Sequence, residues 1–151
     1  MPRFYLTTPL YYVNDKPHIG HAYTTILADV LTRYHRIMGE DVFFLTGTDE
    51  HGQKVQEAAS KRDVEPKVHV DEYVTRFQKL WKKLHIDYAD FIRTTERRHT
   101  NRVKELLTTL YEKGEIYPDE YEGLYSVSEE RFVTKKEVED GDFRQIKKLK
   151  E

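Results

Sequence analysis

The 151 residues contain no cysteine. Disulfides, a thiolate nucleophile and a thiolate-held zinc ion are therefore excluded. No apolar run approaches the roughly 18 residues that a membrane-spanning helix needs. The opening MPRFYLTTPLYYVN has neither a signal-peptide pattern nor the Arg/Ser-rich character of a transit peptide. A soluble, cytoplasmic protein with no membrane partner is expected. An excess of one charge is missing too, with 25 Lys+Arg against 27 Asp+Glu. That excludes binding to nucleic acid by bulk charge alone and leaves a local basic face open. With only seven glycines and five prolines there is no low-complexity linker, and no internal repeat is visible.

What is present is unevenly spread. Up to residue 52 the basic residues are only Arg3, Lys16, Arg33 and Arg36, whereas the remainder is rich in both signs. The first stretch reads as a buried, site-forming unit and the rest as helices with solvated faces. RFYLTT (3–8), followed by Pro9, predicts a buried strand ending in a turn. Asn14-Asp15-Lys16-Pro17 are turn residues. From His18 to Met38, Ile19, Ala22, Tyr23, Ile26, Leu27, Val30, Leu31, Tyr34, Ile37 and Met38 recur at spacings of three and four. They predict an amphipathic helix that buries this stripe and closes at Gly39. DVFFLT (41–46) predicts a second strand, so the unit is strand, helix, strand with a parallel sheet.

Residues 47–52 then read as a loop at the carboxyl end of that strand. Helices are expected over 53–62 and from Pro66, the latter carrying Val70, Tyr73, Val74, Phe77, Leu80, Trp81 and Leu84. A short strand over 89–95 precedes a helix with Val103, Leu106, Leu107, Leu110 and Tyr111 that ends at Gly114. Residues 115–132 alternate aromatic and polar positions and predict a β-hairpin. The tail KKLKE, 147–151, carries no cap or partner and reads as a cut end.

Pro17-His18-Ile19-Gly20-His21 opens the first long helix directly after the first strand. His18 and His21 share one face of its first turn. The amide groups and positive dipole end there favour an anion such as phosphate. Gly20 lets a flat ligand approach the backbone. Two imidazoles at that place suit nucleotidyl transfer, where charge grows on phosphate oxygens. Zinc ligation by the same pair is a weaker reading, because no third ligand is near. Asp49, Glu50 and His51 fall where open α/β sheets bind ligands, and a carboxylate there can hold an ammonium group. Asp29 reads as a residue of the helix's polar side. Tyr11, Tyr12 and Tyr23 can wall an apolar pocket, although core packing is the commoner role of such residues.

TTPLYYVNDKPHIGHAYTT followed by FFLTGTDEHGQKV resembles the start of the catalytic domain of the methionyl-tRNA synthetases, class I aminoacyl-tRNA synthetases, in their bacterial and organellar form. DFIRTTERRH and IYPDEYEGLYSVSEERF share the resemblance, so it covers nearly the whole chain. It implies an α/β, Rossmann-type parallel sheet with flanking helices. Residues 1–115 are expected to be the first half of the catalytic domain, and 116–151 the start of its connective-peptide insertion. It also implies methionine activation with ATP and magnesium, then transfer to tRNA(Met). Residue by residue, His18 and His21 would stabilise the ATP phosphates and Gly20 would lie against adenine. Asp49 would hold the methionine ammonium, and Leu10 and Tyr12 would line the thioether pocket, with His51 nearby.

The family's lysine-rich KMSKS signature is absent from these residues, so the chain by itself is expected to be inactive and to need the remainder of a synthetase. Many members carry a Cys-x-x-Cys zinc knuckle in the insertion. Here the matching positions are Ser126 and Glu129, so no zinc is expected. Two alternatives remain at this stage. One is a class I synthetase for leucine, isoleucine or valine; the other is a non-catalytic module that keeps the nucleotide fold for binding.

Overall fold

The computed structural model describes residues 2–141, 143 and 146–150. It divides into two compact units, 1–105 and 106–151. In the first, β1 (Arg3–Thr7), β2 (Tyr11–Tyr12), α1 (Ile19–Ile37), β3 (Asp41–Asp49), α2 (Gln53–Ser60), α3 (Pro66–Lys83) and β4 (Asp90–Arg93) follow in order. α4 (Arg97–Glu112) runs from the first unit into the second.

The nine-residue strand β3 organises the sheet. β1 pairs with its first half (Arg3 opposite Asp41), β2 with its end (Tyr12 opposite Asp49), and β4 with Leu45–Thr48, all parallel. β4 shares Leu45 with β1 and Thr48 with β2, so β1 and β2 succeed one another along one edge of β3 and β4 takes the other. Pro9, which has no N–H to give the ladder, falls at the interruption between β1 and β2. The expected α/β class and parallel strand–helix–strand unit are therefore present.

The sequence places the core well in the middle of the chain. Pro66 occupies the first turn of α3, whose stripe Val70, Tyr73, Val74, Phe77 and Trp81 is buried as expected. It packs with Tyr11, Val13, Val55 and Phe91, and Leu80 and Leu84 flank this cluster. Complete burial of a side chain such as Phe77 contributes about 1.5–3 kcal/mol. His69, fully buried, joins the core with both ring nitrogens satisfied. Nε2 lies 2.9 Å from the Val13 carbonyl and Nδ1 3.1 Å from Arg62 Nη1. Arginine can only donate, so Nδ1 accepts and Nε2–H donates.

Several expectations are corrected. The first concerns α1, whose apolar stripe is not its buried side. Thr25, Ala28, Asp29 and Thr32 are buried, whereas Ile19, Tyr23 and Ile37 are 87%, 72% and 83% exposed. Its apolar residues do gather on one side, but periodicity does not choose the side that is buried. Polar anchors choose it. Thr25 Oγ1 meets the Tyr11 hydroxyl at 2.8 Å, and Asp29 accepts the Asp87 N–H at 2.8 Å and the Arg33 Nε–H at 2.6 Å. Asp29 is thus a buried tether and not a surface residue.

The second is β1, which has no fully buried residue because it lies at an edge of the sheet. The third is the stretch 47–49, expected in a loop. It continues β3, with partners on both edges. Gly47 is required there: a Cβ would fall 2.0 Å from the Ile92 carbonyl oxygen. The fourth is α4, which buries none of its apolar residues. Its end is as expected, with Gly114 at φ 73° and its N–H donating to the Tyr111 carbonyl.

The second unit has β5 (Glu122–Ser126), β6 (Arg131–Val133), α5 (Lys135–Asp140) and β7 (Ile146–Lys150). The expected hairpin is β5–β6. The tail read as unpartnered supplies β7, which pairs antiparallel with β5 and completes the sheet order β6-β5-β7. Glu151 lies outside the described residues. Among the described residues no helix is long and apolar enough to cross a membrane.

Candidate functional site

The turn before α1 is closed by the Lys16 N–H donating to Asp15 Oδ1 at 2.6 Å. His18 is then the N-cap of α1, extended at φ −123° and ψ 177°. Helix N-caps are usually Ser, Thr, Asp or Asn. Here imidazole nitrogens do that work. His18 Nδ1 accepts the Gly20 N–H and His21 Nδ1 accepts the His18 N–H, both at 3.1 Å, so the two rings form a reciprocal capping box. The rings stack with centroids 3.8 Å apart.

This geometry has a chemical consequence. A neutral imidazole whose Nδ1 accepts a hydrogen bond carries its proton on Nε2. Both histidines are therefore held in the tautomer that leaves an Nε2–H free to donate. Burial, and then the neighbouring His18, push the His21 pKa below its ordinary value, so its neutral form is favoured. Tyr11 packs edge-on against His21 at 4.9 Å, and Phe77 lies 5.2 Å from it. Gly20 makes room for the His18 ring, since a Cβ would lie 2.9 Å from its Cε1.

The histidines face a cleft of about 780 Å³, which is also lined by Leu10, Tyr12 and Lys16. β2 carries Tyr12 directly opposite Asp49. The fold thus brings Leu10, Tyr12, His18 and His21 into one cleft, with Asp49 beside it on the neighbouring strand. Asp49 and His51 themselves are not among the cleft's lining residues. Asp49 Oδ1 accepts the His51 N–H at 3.3 Å. His51 borders a separate pocket of about 250 Å³ with Thr94, His99, Thr100, Val103 and Lys104. Tyr23 is exposed and takes no part in the cleft, while Tyr11 serves both core and cleft.

Sequence reasoning missed Lys16 and Arg93, and although it placed Glu50 at the ligand-binding end of the sheet it missed the partner of that carboxylate. Lys16 was read only as a turn residue, although a cation two positions before the histidine pair was a visible signal. Glu50 and Arg93 form a bidentate ion pair, with Nε–Oε1 2.6 Å and Nη2–Oε2 2.9 Å. They lie 43 positions apart, and nothing local in the sequence links them. Burial raises the Glu50 pKa, but hydrogen bonds from Arg93, Thr95 and Thr48 outweigh it and hold the carboxyl below the ordinary range. The side chains that could hold a resident metal are few: among the described residues no three His, Asp or Glu groups converge.

The family model for class I tRNA synthetases (M) matches residues 4–141. The chain belongs to the methionyl-tRNA synthetase family. It is 53% identical over 137 residues to the methionine–tRNA ligase of Listeria monocytogenes, an alignment covering 91% of this chain and 21% of that protein. The family resemblance extends to structure. A Mycobacterium tuberculosis methionyl-tRNA synthetase in complex with methionyl-adenylate superposes with a TM-score of 0.91 at 38% identity, covering 100% of this chain and 31% of that one. The ternary complex of a LeuRS from Agrobacterium radiobacter with tRNA and LeuAMS shares the fold, with a TM-score of 0.80 at 23% identity over 98% of this chain and 20% of that one. The chain spans about a fifth of the length of the curated relative it matches.

Proposed function

We propose that this chain forms the methionine- and ATP-binding part of a methionine–tRNA ligase. In the first step a methionine carboxylate oxygen attacks the α-phosphorus of magnesium-bound ATP. The bond to the β-phosphate oxygen breaks, and pyrophosphate leaves with methionyl-adenylate remaining. In the second step the 3′-terminal adenosine of tRNA(Met) takes the methionyl group by attack of a ribose hydroxyl on its carbonyl, and AMP leaves. The work belongs in the cytoplasm with translation, and the remainder of the synthetase is a required partner.

The observation that carries this reading is the capped histidine pair. Two Nε2–H donors at a helix N-terminus face one cleft and are locked before any ligand arrives. We assign them to the phosphate chain, with Lys16 as an additional cation. Gly20 lies against adenine, Leu10 and Tyr12 against the thioether side chain, and His51 at the margin of that pocket. Asp49 is the anchor for the methionine ammonium, one strand away from Tyr12.

Methionine-dependent pyrophosphate exchange by the full-length protein tests the activity. Asp49→Ala tests the substrate assignment. Loss of a charge-assisted hydrogen bond is expected to raise the methionine KM by roughly 10–100-fold and to leave the ATP KM nearly unchanged. A rise in the ATP KM alone would assign Asp49 to the nucleotide instead.

The insertion in our reading has no zinc. Its donor set does not suit the ion: no thiolate is present, and the Ser126 hydroxyl accepts the Glu129 N–H at 3.2 Å while meeting Ser128 Oγ at 3.1 Å. Those hydrogen bonds close the turn. Ser126→Ala is accordingly expected to destabilise the second unit by about 1 kcal/mol, read by denaturant titration, with no zinc detected by elemental analysis in either form. One tightly held zinc per chain would contradict the assignment.

A further inference from the structure

The chain leaves the strand ladder at Asp49, and Gly52, at φ 106°, soon turns it into α2. Glu50 lies between. Its side chain has no solvent exposure, and apart from a bond to nearby Thr48 its links lead to another part of the chain. Thr48 Oγ1 and Thr95 Oγ1 donate to its carboxylate at 2.8 and 2.5 Å, beside the two Arg93 bonds, and its own N–H donates to Thr94 Oγ1 at 2.9 Å. Arg93 stands opposite Thr48 on β4 and continues to Asp71 on α3 at 2.5 Å, which also holds Lys67. The end of β3 is thus bolted to β4, to the segment after it and to α3.

A buried ion pair is weak evidence for stability, since apolar side chains of similar volume often serve as well. Its better use is to hold one backbone conformation. Glu50 is the middle residue of the turn in which Asp49 Oδ1 accepts the His51 N–H. Whatever fixes Glu50 therefore fixes the direction of Asp49.

We propose that the Glu50–Arg93 clamp is a positioning device for the amino-acid pocket, acting through Asp49 on the grip of the substrate's ammonium group. This rests on the reading of Asp49 given above. Glu50 and Arg93 touch no substrate. They keep the neighbouring carboxylate aimed without reorganisation when the ligand binds.

The test uses the full-length synthetase that carries these residues. Glu50→Gln and Arg93→Lys are each expected to raise the methionine KM by about tenfold, with the ATP KM within about twofold. Asp71→Asn keeps the acceptor oxygen but removes the charge from the outer, partly exposed link and from the Lys67 pair, and is expected to move the methionine KM in the same direction by about twofold to threefold. The decisive readout is non-additivity: in an Asp49→Ala background, Glu50→Gln should leave the methionine KM where Asp49→Ala put it. A purely structural clamp gives another pattern, in which both KM values move together, the melting temperature falls and the double variant is additive. That pattern, or an unchanged methionine KM in folded Asp71→Asn and Arg93→Lys proteins, overturns the proposal. An unmodified full-length protein with no methionine-dependent exchange would overturn the proposed function itself, and is seen before any variant is made.

Discussion

Replacing His21 by alanine in a full-length enzyme carrying this chain is expected to slow methionyl-adenylate formation by on the order of 10²-fold or more, with little change in the ATP KM. The α-phosphate gains negative charge as the carboxylate attacks, so a donor aimed there helps the transition state more than the bound ATP. In the proposed assignment His21→Ala removes one such donor, and it also removes the acceptor that caps the His18 N–H. The freed His18 ring loses its stacking partner as well. His21→Ala is therefore expected to cost more than His18→Ala. His18→Asn separates the two contributions. Asparagine is a good N-cap but has no nitrogen at the reach of Nε2, so helix stability should be kept while the rate falls. Pre-steady-state adenylate formation with each substrate varied in turn supplies the measurement.

The same geometry predicts a pH dependence. The folded state lowers the His21 pKa below 6.5, by burial first and by His18 second. Between the lowered and the ordinary value the unfolded chain binds more protons than the folded one, so stability rises with pH in that window. The contribution is complete above pH 6.5 and is lost as pH falls through the folded-state value. The difference in melting temperature between the unmodified and His21→Ala proteins should shrink over that acid range and be constant above it.

Residues 1–151 by themselves are expected to make methionyl-adenylate at least about 10²–10³ times more slowly than a full-length relative, the typical loss when one electrostatic stabiliser of a leaving group is removed. No lysine-rich signature occurs among them. Among the described residues Lys16 is the only lysine lining the cleft with the histidines. Exchange at near full-length rates by purified residues 1–151 would show that Lys16 and the histidine pair suffice. ATP binding without exchange is the expected result.

Much of the site was legible because it is local. The histidine pair, the turn before it and the carboxylate at the end of a strand each lie within a few residues, so spacing and residue type disclose them. Helix ends were legible for the same reason. Gly39 and Gly114 take positive φ and donate back to Arg36 and Tyr111, bonds that involve only neighbours. The α3 stripe was legible because one face of that helix is apolar and the other charged. α1 was not, since the side it buries is its polar one, held by hydrogen bonds to Tyr11 and Asp87.

The sequence by itself determined the parallel strand–helix–strand unit, the ends of its helices, the core face of α3 and the family. The first three follow from local hydrogen bonding and from periodicity, and the family from the resemblance of TTPLYYVNDKPHIGHAYTT and FFLTGTDEHGQKV to the methionyl-tRNA synthetases. Only the tertiary structure decided which side of α1 is buried. That side is set by Tyr11, Asp29 and Asp87, which lie apart in sequence and must satisfy polar groups that burial strips of water. The structure likewise decided that β3 continues through Gly47, whose Cβ-less backbone admits the Ile92 carbonyl, and that Glu50 meets Arg93. A pairing across 43 residues leaves no mark on the spacing of either partner. It exists because the end of one strand and the body of another come together, and a buried carboxylate there needs a cation to offset the loss of water.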